Sequence, residues 1–132
     1  MSFEQEFGRW LRDAMSTEIP DPVQAFSFNL FEPAGKDDVK FGIELIGASR
    51  FDPIDSDWAT EEVWEPNARQ LMIPTSYSGD KWEACLTQLS NLLRATLRGT
   101  SITSERLRSR AAVAVGFIDG DLFTLWSRPS EA

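Results

Sequence analysis

The sequence predicts a single α+β domain, in which an antiparallel sheet built from two hairpins is packed by an N-terminal helix and a central amphipathic helix. Two observations indicate this class. Apolar residues recur at helical spacing in two segments, and they alternate with polar residues in two pairs of adjacent segments. The 132 residues fit one domain, residues 1–132, and 42% hydrophobic residues are enough for a core without disulfide or metal staples.

Helix signals open the chain over residues 2–16. Ser2 is a candidate N-cap, and Gln5 is its capping-box partner. The apolar residues at helical spacing are Phe3, Phe7, Trp10, Leu11 and Met15. Pro20 and Pro22 end this pattern, because proline cannot continue a helix.

The first hairpin is predicted from residues 24–31 and 39–47. Alternate residues are apolar in both segments, and the turn-forming residues 33–38 separate them. Residues 48–62 then lose all periodicity and carry five acids, so we expect a long exposed loop with the most acidic surface of the protein. Short strands at Val63–Glu65 and Arg69–Ile73 are flanked by prolines, which fits a sheet edge.

The central helix is predicted over residues 80–98, with Asp80 as N-cap, Glu83 as its capping-box partner and Gly99 at its end. Its apolar stripe consists of Trp82, Cys85, Leu86, Leu89, Leu92, Leu93 and Leu97. The single cysteine lies on this stripe. We therefore expect Cys85 to be buried and unreactive.

The second hairpin is predicted from residues 111–118 and 121–126. Asp119-Gly120 between them favours a type I′ turn, because these residues tolerate positive φ angles. Residues 100–110 are ambiguous. Thr103 or Ser104 could cap a short helix, whereas arginines at every second position fit one face of a strand, and a loop that leads into a strand is the favoured interpretation.

Composition excludes several classes of function. Without any histidine and with one cysteine, the chain by itself cannot build a Ser-His-Asp or Cys-His nucleophile, an HExxH metal site or a CxxC site. The net charge of −8 argues against nucleic-acid binding. No apolar run reaches the ~18 residues of a membrane span, and no signal peptide is recognised, so a cytoplasmic protein is expected.

Charge is distributed unevenly along the chain. Residues 1–65 hold 15 acids and 5 bases, a net of −10, and residues 66–132 hold 6 acids and 8 bases, a net of +2. The arginine-rich segment from Arg94 to Arg110 contributes most of the bases. It fits pairing with the acidic half of the same fold, pairing with a second copy in a homodimer, or docking of a partner.

The acidic run is the main candidate for chemistry. Asp52, Asp55 and Asp57 are oxygen ligands for a hard cation, but an EF-hand loop that starts at Asp55 would place Thr60 where glycine is needed and Pro66 where glutamate is needed. Acid–base catalysis needs one carboxyl of raised pKa in an apolar pocket. The sequence indicates neither a cation-binding loop nor a carboxyl of raised pKa. We therefore predict no cofactor, no metal and no enzyme, with a carboxylate- or metal-dependent enzyme as the remaining alternative.

Two tryptophans lie among these acids. Trp58 and Trp64 are either core residues or the anchors of a protein interface whose acidic rim attracts a basic partner. The predicted partner-binding residues are Asp52, Asp55, Asp57, Trp58, Glu61, Glu62 and Trp64.

The stretch from Ile43 to Pro66 resembles small acidic immunity proteins of bacterial polymorphic and contact-dependent toxin systems. The matching residues are Glu44-Leu45-Ile46-Gly47, Phe51-Asp52, Asp55, Asp57-Trp58-Ala59 and Glu61 or Glu62, about a fifth of the chain. The resemblance implies a non-catalytic inhibitor that binds a basic toxin domain, and it transfers no catalytic residue.

A second resemblance, in size, acidity and the order helix, strands, helix, hairpin, is to type III secretion chaperones. These are acidic cytoplasmic dimers that bind the non-globular part of an effector. The resemblance departs from them after Trp126, where no counterpart of their final helix is recognised. It implies effector binding as the alternative function.

Overall fold

Two long helices occupy the predicted places in the chain. They are α1, Phe3–Met15, and α3, Trp82–Leu97. The structure is a computed structural model that describes residues 2–34 and 39–129. Ser2 Oγ accepts from Gln5 N, and the Gln5 side chain accepts from Ser2 N, which confirms the capping box. Two short helices, α2 and α4, span Thr75–Ser78 and Ile102–Leu107. Within the described part of the chain, no helix has the length and hydrophobicity needed to cross a membrane.

The described residues include six strands, which form one sheet. They are β1, Ala25–Phe31; β2, Phe41–Ala48; β3, Glu62–Trp64; β4, Gln70–Ile73; β5, Ala112–Phe117; and β6, Leu122–Ser127. The order is β3-β2-β1-β5-β6, and β4 lies beside β3 along the same edge of β2. Both predicted hairpins and both short edge strands are confirmed, and so is the α+β class. Most of the predicted turn at residues 33–38 lies outside the described residues.

The sheet is mixed. β1 pairs antiparallel with β2 and parallel with β5, in a register that matches Ala25 with Ala112. Each hairpin is antiparallel, as predicted, but the two hairpins join side by side in parallel. The reason is that the chain returns through α3 and α4 before β5 begins, and such a crossover can bring a strand back in the same direction.

The two faces of the sheet are covered differently. On the first face, α1 and α3 pack on large apolar residues, among them Phe26, Phe28 and Val115. On the second face the central positions are mostly small, as at Ala25, Ala112 and Ala114. No long helix covers this second face among the described residues. It is covered in part by the segment between β2 and β3.

The central helix begins later than predicted. Its N-cap is Lys81, which makes no side-chain cap bond, rather than Asp80. The preceding residues form α2, and Gly79 leaves it with a φ of 75°, a conformation suited to glycine. Cys85 is fully buried, which confirms its predicted place on the apolar stripe.

Two local predictions near the C-terminus are wrong. The favoured loop at residues 100–110 contains α4, and its N-cap is Ser101, whose Oγ accepts from Ser104 N. The β5–β6 connection is not a type I′ turn. It is four residues long, Gly120 N donates to Phe117 O across 3.0 Å, and no residue in it has a positive φ. Longer hairpin loops of this kind are built around type I geometry, which needs no positive φ.

Candidate functional site

The acidic loop, residues 49–61, crosses the second face of the sheet between β2 and β3. A 3₁₀ helix, Ser56–Thr60, forms its centre. Ser49 N donates to Glu61 O across 2.9 Å and closes the loop at its base. The exposed acids are Asp55, Asp57 and Glu61, with Glu62 directly after them, whereas Asp52 is half-buried. The loop is therefore acidic and largely exposed, but it has a fixed internal structure.

Trp58 supports the loop from inside. Its side chain is 1% exposed and belongs to the apolar cluster of the second face. Phe51 contacts it edge-on, with ring centroids 5.4 Å apart. The alanines of β1 and β5 leave room for the indole on this face. Of the two interpretations of Trp58, the structure places this residue in the core, so its ring is not available at the surface.

Trp64, at the end of β3, belongs to the other side of the sheet. It is half-buried and contacts Phe26 edge-on at a centroid distance of 6.0 Å. Phe26 faces the helices, whereas Trp58 packs on the opposite face. The two tryptophans thus do not form one surface, although both are only a few residues from the acidic carboxylates.

Asp52 and Asp55 organise the backbone of the loop. Asp52 Oδ1 accepts from Ile54 N at 2.9 Å and from Asp55 N at 3.2 Å, and Asp55 Oδ1 accepts from Asp57 N at 3.0 Å. These amide donors hold the pKa of Asp52 below its ordinary value, because they stabilise the carboxylate. The Asp57 carboxylate has no hydrogen bond or ion pair among residues 2–34 and 39–129.

Two arginines engage the glutamates. Arg50 forms an ion pair with Glu61. Arg69 contacts Glu62 at 2.6 Å, Glu65 at 2.5 Å and Glu44 at 3.1 Å. The hydrogen bonds that Arg69 donates to Glu62, and then to Glu65 and Glu44, raise the pKa of Arg69 above its ordinary value. Glu61 and Glu62 therefore present carboxylates that are exposed but already paired within the chain.

A polar network continues from Arg69 across the second face. Glu44 Oε1 accepts from Asn29 Nδ2 at 3.1 Å, and Asn29 Oδ1 accepts from Ser27 Oγ at 2.7 Å. Sequence reasoning missed this network. The signal was present in Glu44, a lone acid in the middle of an otherwise apolar strand whose side chain must be satisfied on one face of the sheet.

Three of the five arginines in the arginine-rich segment contact other parts of the fold. Arg106 donates to Met15 O at the end of α1, and Arg108 donates to Leu97 O and Gly99 O at the end of α3. Arg110 donates to Ile19 O across 2.9 Å. A guanidinium at a helix C-terminus satisfies free carbonyls and complements the helix dipole. These three arginines thus bind backbone oxygens, and none of them forms an ion pair with a described acid.

The described residues contain no group of three or more acidic or cysteine side chains arranged to hold a metal ion. Comparison with protein-family models, with curated proteins and with solved structures finds no match for this chain. The resemblance to immunity proteins therefore stays a prediction.

Proposed function

We propose that this protein is a non-catalytic inhibitor that binds a basic partner protein, as a bacterial immunity protein binds its cognate toxin. The observation that carries the proposal is the construction of the acidic loop. Its exposed carboxylates belong to a loop whose conformation is fixed by the buried Trp58 and by the hydrogen bond that Ser49 N donates to Glu61 O. A surface ordered before binding loses less conformational entropy when the partner arrives.

Electrostatics give the loop its role in this proposal. Asp55 and Asp57 are exposed, and the N-terminal half of the chain to which they belong carries a net charge of −10, from 15 acids and 5 bases. Exposed carboxylates in an acidic part of the chain attract a basic partner over a distance and accelerate association. The proposal assigns contact to Asp52, Asp55, Asp57, Glu61 and Glu62, and assigns support of the loop to Trp58.

The lowered pKa of Asp52 argues against a role for this residue as a general acid. A general acid that works near neutral pH needs a raised pKa, whereas backbone amides lower the pKa of Asp52. The proposal also places the protein in the cytoplasm, where a single unpaired thiol such as that of Cys85 stays reduced.

A growth-rescue experiment tests the proposal. Products of the open reading frames adjacent to the gene are expressed one at a time, alone and together with this protein. We expect one product to arrest growth and co-expression to restore it. The variant Asp55→Lys/Asp57→Lys should abolish rescue, whereas Glu6→Lys/Asp13→Lys, with the same change in charge at two exposed positions of α1, should retain it. If no adjacent product is toxic, or if both variants rescue equally well, the proposal is wrong.

A further inference from the structure

An apolar groove lies between the start of α3 and the β5–β6 turn. It encloses about 600 Å³, and its apolar lining consists of Phe31, Trp82, Leu86, Phe117, Ile118 and Phe123. This volume lies within the ~300 to 1,000 Å³ that is usual for ligand sites. Three of the lining side chains are strongly exposed: Trp82 by 55%, Ile118 by 66% and Phe123 by 47%. Large apolar side chains grouped on a surface indicate a site of interaction.

The base of the apolar groove is anchored in the core. Phe117 contacts Phe41 edge-on at a centroid distance of 5.5 Å, and Phe41 is 1% exposed. Phe117 also contacts Trp82 edge-on, at a centroid distance of 6.2 Å. The exposed indole thus stands against a ring that the core holds in place. Such a groove needs little rearrangement to accept a side chain.

The rim of the apolar groove is acidic. Glu32, Asp119 and Asp121 line it, and none of the described lining residues is a base. This combination selects the chemistry of the occupant, because apolar and aromatic groups accept an apolar side chain while the carboxylates attract cations beside it. A second copy of this chain is a poor occupant, since its own three carboxylates would oppose these three.

We propose that the apolar groove binds a peptide segment of a partner protein in which an apolar side chain is flanked by lysine or arginine. This site is separate from the acidic loop. β1 begins at Ala25, beside the cluster that holds Trp58, and ends at Phe31, which lines the groove. The seven residues of β1 therefore separate the two sites by about 20 Å. The inference goes beyond the proposed function and does not depend on it.

Nuclear magnetic resonance with short synthetic peptides tests this proposal. The probe is an acetylated and amidated pentapeptide, lysine-leucine-lysine-phenylalanine-lysine, and the indole resonance of Trp82 is assigned with the variant Trp82→Phe. We expect the probe to shift the Trp82 indole and the amides of residues 118–123, without shifting the Trp58 indole. Two control peptides replace lysine by glutamate, or leucine and phenylalanine by serine, and both should bind at least about tenfold more weakly.

Two matched variants show whether the probe peptide binds at the apolar groove or at the acidic loop. They also keep the test valid if Trp82→Phe disturbs the groove. Asp119→Asn/Asp121→Asn should lower the affinity of the protein for the probe peptide about fivefold, as expected for two exposed ion pairs. Asp55→Asn/Asp57→Asn should leave this affinity unchanged. Equal binding of either control peptide, shifts confined to the acidic loop, equal losses in both variants, or no binding of the probe at millimolar concentration would each overturn the proposal. These readouts involve no toxin, so they stand apart from the growth-rescue result.

Discussion

Arg69 donates from Nε to Glu44 Oε2 across 3.1 Å, and this contact ties the chain just before β4 to the middle of β2. The Glu44 side chain is only 14% exposed, and its other oxygen accepts from Asn29. A carboxylate in this position needs a cation nearby, because desolvation without one is costly. Arg69 supplies it, and the same guanidinium also holds Glu62 and Glu65 at the surface.

We expect Arg69→Ala to lower the free energy of unfolding by about 2 kcal/mol, because it leaves the Glu44 carboxylate without its cation. Arg50→Ala is the matched control. It removes an exposed pair with Glu61, in which both side chains are almost half exposed, so it should lower the free energy of unfolding far less than Arg69→Ala does. Urea unfolding measures both changes.

Arg69→Ala should lower the free energy of unfolding by a smaller amount when Glu44 is already replaced by Gln, since no buried charge then remains at that position. Equal losses for Arg69→Ala and Arg50→Ala, or an unchanged loss in the Glu44→Gln background, would contradict this account of the network.

Trp58→Ala should lower the free energy of unfolding by about 3 to 5 kcal/mol, because it leaves a cavity between the acidic loop and the small residues of the sheet. Trp82→Ala is the control. Trp82 is 55% exposed, against 1% for Trp58, so its replacement should cost about 1 kcal/mol or less. Chemical denaturation of the two variants compares them directly. A Trp58→Ala protein as stable as wild type would show that the indole does not hold the loop.

The two tryptophans show where local sequence patterns stop being informative. Trp58 and Trp64 stand in nearly the same acidic surroundings in the sequence, yet they pack on opposite faces of the sheet. The space for Trp58 comes from alanines in β1 and β5, which are distant from it in the sequence. Burial of this residue depends on strand pairing across the whole chain, and no window around residue 58 contains that information.

Elements with a strong period were predictable, and elements that depend on distant partners were not. The stripe from Cys85 to Leu97 predicted α3 correctly, since its spacing alone defines a helix face. The arginines of residues 106–110 alternate as in a strand. In the structure, Arg106 lies in α4 and Arg108 directly follows it. The guanidinium groups of the three arginines bind backbone carbonyls of α1, of α3 and of the segment after α1. The apolar groove escaped prediction for a similar reason, because it joins residues of β1, α3 and the β5–β6 turn.

Cys85 should react slowly with a thiol reagent in the native protein. Burial raises the pKa of its thiol to about 12, because the thiolate is poorly solvated there. At about pH 8 we expect labelling to be at least about a hundredfold slower than in urea-unfolded protein. The variant Cys85→Ala/Ala95→Cys places the thiol at an exposed position of α3 and should react rapidly without denaturant. Fast labelling of the native wild type would contradict the predicted packing.

Asp52 should make the stability of the acidic loop depend on pH in the acid range. Amides of Ile54 and Asp55 lower its pKa in the folded protein below the ordinary 3.8, so the folded state binds this proton less readily than the unfolded state does. The stabilisation is therefore complete above about pH 4 and is lost as the pH falls through the lowered value. Asp52→Asn keeps an acceptor oxygen but has no titrating carboxyl. Thermal unfolding should show wild type to be more stable than Asp52→Asn at about pH 6, with a difference that shrinks by about pH 3. Because the other acids titrate in both proteins, the difference isolates Asp52, and a constant or growing difference on acidification would show that its carboxylate does not stabilise the loop.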